Sequence, residues 1–425
     1  MPDSDASTAR AIVPERDTSL PPLVSPPLFA PADRRILAAL CIAAFLAALN
    51  FFATTPFYPD IARDLHTTIP LLGQVVTLMV LISAGLGLTV GPLADRYGYR
   101  WPLVCGLLAM TINLMGTGMA PSYPVLLGLG VLGGLADALV FALPLAIAAT
   151  HFTGAAQRRA IGWTIGALSS ASIIGVPILT AIGGVAGWRA ALVVAGLSGA
   201  GAAWFVAVAL PPDGRHPTTR LRLRSIFGAY APILRHAPSL RLFGVAALRA
   251  VWWLGLLTYL GAFLGETLVL TARQIGLVYA LGGGAYAVGS FAIGARLGAV
   301  SPRTVVAVSC AFGVLVAPTL LVANVWVAVP LLLIISLAAA VCSVGIAALL
   351  GAESPAGAGT TMVLNGSLLN LGGAGGAALG GLLIAVGGYS ALGIGLPLFA
   401  VGGAILVGWP EDGRSAHRRP STRRA

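Results

Sequence analysis

Apolar stretches of about 20 residues recur twelve times between residues 36 and 409 of this chain. A stretch of that length forms a helix that crosses the hydrocarbon core of a bilayer. Charged residues make up only 9% of the 425 residues, which is too few for the surface of a soluble protein of this size. We therefore predict an all-α membrane protein with twelve transmembrane helices at roughly 36–56, 70–90, 102–120, 125–149, 160–183, 188–210, 240–264, 272–295, 303–323, 325–350, 358–386 and 389–409.

The longest polar interruption divides these spans six and six. The predicted domains are a disordered cytoplasmic tail (1–35), a six-span bundle (36–210), a cytoplasmic linker (211–239), a second six-span bundle (240–409) and a cytoplasmic C-terminal tail (410–425). The linker is either a solvated basic segment or one that lies along the inner membrane surface. The halves are weakly similar at an offset of 201 residues, which predicts two pseudo-symmetric bundles related by a parallel repeat. The matched positions are Gly175 with Gly376, Gly187 with Gly388 and Trp188 with Tyr389.

The positive charge is distributed unevenly along the chain. All 25 basic residues are arginine, and the formal net charge is +11. With the N-terminus inside, 21 arginines fall on the cytoplasmic side. This asymmetry follows the positive-inside rule, so we predict a multi-pass protein of the plasma (inner) membrane with both termini in the cytoplasm. No soluble domain carries the charge, which argues against nucleic acid as a partner.

Enzyme chemistry has no support in the sequence. The four cysteines (Cys41, Cys105, Cys310 and Cys342) lie in apolar spans without His or acidic neighbours, so we expect a structural role and no metal site. Neither a metalloprotease motif nor a Gly-x-Ser-x-Gly motif occurs, and no nucleotide-binding motif is present. We predict that the protein is not an enzyme, needs no cofactor and is not driven by ATP.

The segment GPLADRYGYR (91–100) stands between the second and third predicted spans. Its glycines allow a tight reversal, and its arginines hold the chain on the inner side of the membrane. The carboxylate of Asp95 is suited to lie against the N-terminus of another helix, where a negative charge is stabilised. Contacts from this turn would keep the cytoplasmic face closed, whereas the simpler interpretation is an ordinary polar turn. The residues concerned are Gly91, Asp95, Arg96, Gly98 and Arg100.

GPLADRYGYR resembles the loop signature between spans 2 and 3 of the major facilitator superfamily, and the resemblance extends over residues 36–409. It implies a secondary active transporter that acts as a monomer on a small molecule in the lipid bilayer. In that family the acid of this loop, here Asp95, docks against the start of span 11 and latches the outward-facing state. The matching turn of the second half has Gly298 at the position of Asp95, so that half lacks the latch.

The fifth span resembles the Gly-x-x-x-Gly-Pro motif of the twelve-span drug and metabolite exporters of this family, which exchange substrate for protons. Two positions depart from the motif, with Ala171 in place of the first glycine and Val176 inserted before the proline. Small residues allow close helix packing and a proline bends a helix, so we expect a packing role. The motif residues are Gly175, Pro177, Gly183 and Gly184. In span 11, Gly372, Gly376 and Gly380 predict a second close-packing face.

Two ionisable residues fall well inside the predicted spans, Asp137 and Arg249. Asp137 lies near the middle of span 4 and shares a helix face with glycines, so its side chain should point to protein or to a cavity. We interpret it as a proton-coupling group; the alternative is a buried structural hydrogen bond. Arg249 is either functional or reaches the inner surface with its long side chain. In another conformational state the two residues could approach each other across the cavity.

Other polar and aromatic residues are weaker candidates. The family resemblance places spans 1, 4, 7 and 10 around a central cavity, which adds Asn50 to Asp137 and Arg249 as cavity residues. Many proton-coupled exporters carry an arginine early in span 4, where this chain has Gly130, and this departure argues against the usual coupling arrangement. Other candidates are Gln74, Asn365 and Asn370 and the aromatic residues Trp252, Trp253, Tyr259 and Phe263, which either line a substrate path or pack in the core.

The sequence thus favours export of a small organic molecule by proton exchange through alternating access. A sparsely charged cavity suits amphipathic, neutral or weakly charged molecules. Two alternatives stay open at this stage. One is a transporter-like sensor or scaffold that does not transport, and the other is an importer or uniporter of a small solute.

Overall fold

The computed structural model describes residues 30–211, 231–293, 300–355 and 357–408. Within these ranges the regular structure is helical, as predicted, and no β-strand occurs. Nine helical stretches of the described chain are long and apolar enough to cross a membrane. The helices are α1 (Pro31–Phe52), α2 (Tyr58–Asp64), α3 (Ile69–Tyr97), α4 (Arg100–Met119), α5 (Tyr123–His151), α6 (Gly154–Ser170), α7 (Val176–Ala209), α8 (Ala237–Glu266), α9 (Ala272–Val288), α10 (Pro302–Ala311), α11 (Val316–Leu321), α12 (Val325–Glu353) and α13 (Ala358–Gly408).

The two longest helical runs are each interrupted by a glycine. Gly187 inside α7 has φ 83°, and Gly388 inside α13 has φ 63°. A side chain strongly disfavours this left-handed backbone, so glycine is the residue expected there. Both interruptions lie where the hydropathy pattern predicts a boundary between two spans. Gly187 and Gly388 are also matched by the internal repeat.

The repeat extends to the residues that follow these glycines. Trp188 donates its Nε1–H to Asp64 Oδ2 at 2.8 Å, and Tyr389 donates its hydroxyl to Glu266 Oε2 at 2.9 Å. Asp64 and Glu266 end α2 and α8, and they are themselves separated by 202 residues. In each half of the chain, therefore, a hydrogen bond connects the start of the last long helical segment to an acid near the end of the first transmembrane helix.

We expect Tyr389→Phe, which removes only the hydroxyl, to lower stability by about 1 kcal/mol. A buried hydrogen bond to a charged acceptor contributes more than this to the free energy of unfolding, but the bond from Tyr389 to Glu266 is exposed to solvent. The measurement is thermal unfolding of the purified protein in detergent. Tyr123→Phe is the matched control, because Tyr123 donates to the neutral amide of Gln74 at an exposed position. Equal melting temperatures for Tyr389→Phe and wild type would contradict this assignment.

Several helix boundaries differ from the prediction. α1 begins at Pro31, within the segment 1–35 that the sequence assigns to a tail, and α2 is an additional short helix. α3 continues to Tyr97, so most of GPLADRYGYR is helical and only Gly98, with φ 78°, turns the chain. Apolarity marks where a helix can be buried in lipid, whereas its hydrogen bonds continue into polar sequence until a breaker occurs.

The predicted glycine face of α13 is confirmed, and it packs against α8. A Cβ atom on Gly372 would lie 2.8 Å from Ala250 Cβ, and one on Gly376 would lie 3.0 Å from the Gly255 nitrogen. One turn further, a Cβ atom on Gly380 would lie 2.6 Å from the Tyr259 ring. None of these positions has room for a side chain, so the two helices approach each other backbone to backbone.

The two halves of the chain meet at the distal face, defined here as the end of the bundle where α1 ends and α3 begins. Thr55 Oγ1 and Tyr279 OH form a hydrogen bond of 3.2 Å between the halves. Beside it, a Cβ atom on Gly276 would lie 3.1 Å from Pro177 Cα, and one on Gly381 would lie 3.2 Å from the Pro70 carbonyl oxygen. The distal face is therefore closed in this conformation.

Candidate functional site

Asp137 lies near the middle of α5, where two glycines bring that helix close to α3. A Cβ atom on Gly130 would lie 3.1 Å from the Val75 side chain, and one on Gly134 would lie 2.8 Å from Ile82 Cβ. The face predicted from the spacing of these glycines therefore packs on α3. Asp137 is 8% exposed and lies opposite Ser83 of α3, which is 1% exposed.

A hydrogen-bonded chain of three residues, which we call the Asp137 chain, connects the two halves of the protein. Ser83 Oγ donates to Asp137 Oδ2 at 2.6 Å, and Asn370 Nδ2 of α13 donates to Ser83 Oγ at 3.1 Å. A serine hydroxyl has one proton and two acceptor lone pairs. Since that proton is directed at the carboxylate, the serine oxygen is left to accept from the other half of the chain.

A pair of amides lies beside this chain within the first half. Asn113 Nδ2 of α4 donates to Asn50 Oδ1 of α1 at 3.2 Å, and both side chains are buried. Asn50 Nδ2 points at the Met79 sulfur at 4.0 Å, one helical turn before Ser83 on α3. The two amides line a cleft between α1, α3, α4 and α5. The cleft has a volume of about 40 Å³, room for only a few water molecules in this conformation, and it combines two amides with mostly apolar walls.

Arg249 occupies a different place from Asp137. It is 5% exposed on α8. Its Nε and Nη1 atoms are buried without a hydrogen-bond partner. Within the described part of the chain, Asp137 and Arg249 are the only buried charged side chains, and neither takes part in an ion pair. Their approach in another state stays a prediction.

The aromatic residues of α8 lie in packed surroundings. Trp252, Tyr259 and Phe263 are fully buried, and Trp253 stacks on Tyr286 with ring centroids 5.8 Å apart. Of the two interpretations that the sequence left open, this conformation therefore favours core packing over a substrate path.

The remaining amide candidates have separate surroundings. Gln74 accepts a hydrogen bond from Tyr123 at an exposed position near the distal face. Asn365 has a buried Oδ1 atom without a partner. Only Asn370 of the predicted amides on α13 hydrogen-bonds to another residue of the candidate site.

The predicted latch is described only in part. Gly91, Asp95 and Arg96 belong to the helical backbone of α3, and their side chains lie outside the described residues, as does Gly298. Arg100 donates to the Ala207 carbonyl oxygen of α7 and lies 5.4 Å from the Trp101 ring centroid. This contact holds α4 to α7 within the first half; the latch itself stays a prediction.

The exporter-like motif coincides with a change in helix geometry. Residues Ala171–Gly175 form a π-helical turn that ends two residues before Pro177, and Pro177 lies beside Gly276 of α9. A Cβ atom on Gly175 would lie 2.8 Å from Leu49, and one on Gly183 would lie 2.7 Å from the Phe57 ring. Gly184 has open space around it. The segment therefore contacts α1 and the residues after it on one side and the second half of the chain on the other.

Sequence reasoning missed Ser83 and Asn113. Both are uncharged polar residues near the middle of mostly apolar spans. A search for hydrogen-bonding side chains at mid-span depth could have found them, because a polar group in hydrocarbon requires a partner.

Comparison with known proteins identifies a family. The family model described as Major Facilitator Superfamily matches residues 40–268. A chloramphenicol resistance protein of Streptomyces lividans is 29% identical over 157 residues, which are 36% of this chain and 38% of that protein. A chloramphenicol efflux pump of Mycobacterium tuberculosis is 28% identical over 179 residues, 41% of this chain and 42% of the pump. A probable vesicular acetylcholine transporter-B of Danio rerio is 31% identical over 154 residues, 34% of this chain and 31% of the transporter.

The chain thus spans about a third to two fifths of the length of these relatives. Solved structures match a larger share of it. An inward-facing, unoccupied bacterial homolog of the human lysosomal transporter Spinster has a TM-score of 0.69 at 18% identity, covering 89% of this chain and 95% of the other. The human organic anion transporter MFSD10 has a TM-score of 0.63 at 20% identity, covering 89% and 100%. At these identities the likeness establishes the fold alone.

Proposed function

The chain belongs to the major facilitator superfamily, and from this premise we propose that it is a secondary active transporter that exports a small organic molecule in exchange for protons. The observation that carries the proposal is the Asp137 chain. It joins a buried acid in one half of the protein to an amide donor in the other half.

The Asp137 chain supplies a physical route from protonation to movement. When Asp137 is ionised, Ser83 donates its proton to the carboxylate. The Ser83 oxygen then accepts from Asn370, so the hydrogen bond between the two halves is retained. A protonated Asp137 is itself a donor. When it donates to Ser83, the serine no longer donates to a carboxylate. Its oxygen is then a weaker acceptor, and the hydrogen bond from Asn370 that links α3 and α13 is weakened. The free energy of proton binding therefore differs between the state in which the halves are joined and the state in which they are separated. Coupling requires such a difference.

Membrane orientation completes the proposal. We place both termini in the cytoplasm of a plasma membrane, which puts the arginine-rich segments inside. Division of α7 and α13 at their glycine interruptions, together with α9, gives twelve spans in two bundles of six. The distal face is then the outer face, so the closed contacts there correspond to a conformation closed towards the outside.

We infer the substrate class from the walls of the cleft, which must widen in another conformation to admit an organic molecule. Its described lining has two amides and is otherwise dominated by apolar and aromatic side chains, without a charged group. We propose amphipathic, neutral or weakly charged organic molecules as substrates. The relatives named as chloramphenicol resistance and efflux proteins favour export as the direction.

The test uses the purified chain in proteoliposomes and a panel of amphipathic compounds that includes chloramphenicol. We expect at least one compound to accumulate when a pH gradient is imposed and to leak back when the gradient is collapsed. Binding without flux would favour the sensor alternative. Flux that ignores a gradient of either sign would indicate a uniporter and contradict proton exchange.

The orientation predicts where a reporter will be active. Alkaline phosphatase fused after Arg424 should be inactive, and the same enzyme inserted near Ala120, in the loop at the distal face, should be active because it is exported. Activity of the fusion after Arg424 would contradict the cytoplasmic location of the C-terminus.

Removal of the bond between the halves should uncouple the transporter. We expect Asn370→Ala to lower gradient-driven uptake about tenfold, which corresponds to a coupling free energy in the usual range. Ser367→Ala, one turn earlier on α13, is the matched control and should leave uptake near the wild-type rate. Ser83→Ala should lower uptake at least as much as Asn370→Ala, because it removes the donor to Asp137 as well as the acceptor for Asn370. The double variant should be no worse than Ser83→Ala alone, because Asn370 has already lost its partner in that variant. Strictly additive losses would contradict the chain.

A further inference from the structure

The side chain of Tyr259 on α8 reaches from the second half of the protein into the first half, near the distal face. A Cβ atom on Gly73, the fifth residue of α3, would lie 2.5 Å from Tyr259 Cζ and 2.8 Å from Tyr259 Cε1. Carbon atoms that are not bonded to each other pack at about 3.5–4.0 Å. The ring therefore occupies the space that a side chain at position 73 would fill. We call this space the Gly73 notch.

The ring is fixed to its own half of the chain. Tyr259 OH donates to the Ala377 carbonyl oxygen of α13 at 2.5 Å, and the side chain is fully buried. A Cβ atom on Gly380 would lie 2.6 Å from the ring, and one on Gly381 would lie 2.8 Å from its hydroxyl. The backbone of α13 thus lies directly against the ring. Tyr259 cannot turn away from α3 without losing this packing and the hydrogen bond.

Ion pairs do not join the two halves within the part of the chain that the structure describes. Each of the four ion pairs found there lies inside one half. They are Asp60–Arg63, Asp33–His151 and Asp64–Arg189 in the first half and Arg303–Glu353 in the second. At the distal face, the hydrogen bond between Thr55 and Tyr279 joins two neutral hydroxyl groups. Closure of this face therefore depends mainly on how well uncharged surfaces fit together.

We propose that Tyr259 and the Gly73 notch form the gate of the distal face. The ring stays with the second half, so opening of the face withdraws the notch from the ring and closing brings it back. A side chain at position 73 would meet the ring in the closed arrangement only, so the absence of one stabilises the closed state relative to the open state. The gate presupposes the proposed alternation between conformations, but neither a proton nor a substrate takes part in it.

The test measures the distance between the halves by double electron–electron resonance, with the full-length chain in lipid nanodiscs. The four native cysteines are replaced by alanine. Spin labels are attached through Thr68→Cys, directly before α3, and Ser390→Cys, which follows the Gly388 interruption of α13; both positions are exposed. Since the measurement needs no substrate and no pH gradient, its failure is distinguishable from a failure of proton exchange.

We expect Gly73→Ala to raise the ratio of open to closed distal faces about tenfold or more, the usual effect of overpacking a tight contact. The distance distribution should gain a longer component at the expense of the shorter one. Gly85→Ala on the same helix is the matched control. Apart from its own stretch of helix, nothing described lies within 4 Å of the position of its Cβ, so the parent distribution should be kept. The parent distribution in Gly73→Ala would overturn the proposal.

Substitution of Tyr259 separates a gate from a general disturbance of α3. Leucine lacks the ring atoms that meet position 73, so Gly73→Ala should cause no further opening when it is added to Tyr259→Leu. Phenylalanine keeps Cζ and Cε1, so Gly73→Ala should still open the face when it is added to Tyr259→Phe. Equal opening by Gly73→Ala in these two backgrounds would contradict the gate.

Tyr259→Leu alone tests the gate even if Gly73→Ala does not fold. The contacts of the ring with α13 lie within one half, whereas its contact with the Gly73 notch exists only when the distal face is closed. Loss of the ring should therefore raise the open population several-fold. A distance distribution in Tyr259→Leu identical to that of the parent would show that the ring does not hold the face closed.

Discussion

Asp137→Asn should abolish accumulation driven by a pH gradient and leave substrate binding and downhill exchange in place. Asparagine can still accept the hydrogen bond from Ser83 through its amide oxygen, so the packing of α3 on α5 is kept. It cannot bind or release a proton, so the free energy of the gradient is no longer connected to the movement of the halves. We expect accumulation at the level of liposomes without protein, measured with a compound that the wild-type protein transports.

The matched control for this variant is Asp60→Asn. Asp60 is an exposed acid on α2, paired with Arg63 at 3.2 Å, and the same acid-to-amide change there should leave gradient-driven accumulation unaffected. The alternative role for Asp137 is a permanent structural hydrogen bond, which asparagine would also satisfy. Wild-type accumulation in Asp137→Asn would therefore support that alternative and show that any coupled proton uses another route.

Gly376→Ala should destabilise the second half by about 3 kcal/mol, the cost of overpacking a close backbone contact. The new methyl group would meet the Val251 carbonyl oxygen and the backbone of Gly255, neither of which can rotate away as a side chain could. The readout is thermal unfolding in detergent, where we expect the melting temperature to fall by roughly 5 °C or more.

Gly366→Ala on the same helix is the control for Gly376→Ala. Apart from its own stretch of helix, nothing described lies within 4 Å of the position that its Cβ would occupy. Since alanine is the better helix former, this variant should be as stable as wild type or slightly more stable. Equal melting temperatures for the two variants would indicate that α8 and α13 are less closely packed than described here.

The helical class could be predicted from the sequence because every span of a bilayer must be apolar and long enough to cross it as a helix. Apolar length located the helices, and the two interruptions at Gly187 and Gly388 fell at predicted boundaries. The ends of α1 and α3 were predicted less well, because helical hydrogen bonds continue beyond the apolar segment. The short helix α2 was missed since its seven residues are too few to give a periodic signal.

The candidate site was only partly predictable. Asp137 was apparent from its charge within an apolar span, and Asn370 from its amide. Their common partner Ser83 was not, because a single serine is unremarkable in any helix until the fold places it beside an acid. The contact between Cys310 and Cys342, whose sulfur atoms lie 3.3 Å apart, has the same origin, since it depends on how α10 crosses α12. Sequence gives the residue types, whereas the crossing of helices decides which residues meet.

The central claim is that substrate and protons move in opposite directions through one cycle. Its most direct test is proton movement in proteoliposomes that contain a pH-sensitive dye, with a substrate gradient and no imposed pH gradient. We predict that the wild-type protein moves protons against the direction of substrate flow, and that Asp137→Asn exchanges substrate without any change in internal pH. Substrate flux in the wild-type protein without proton movement would contradict the account.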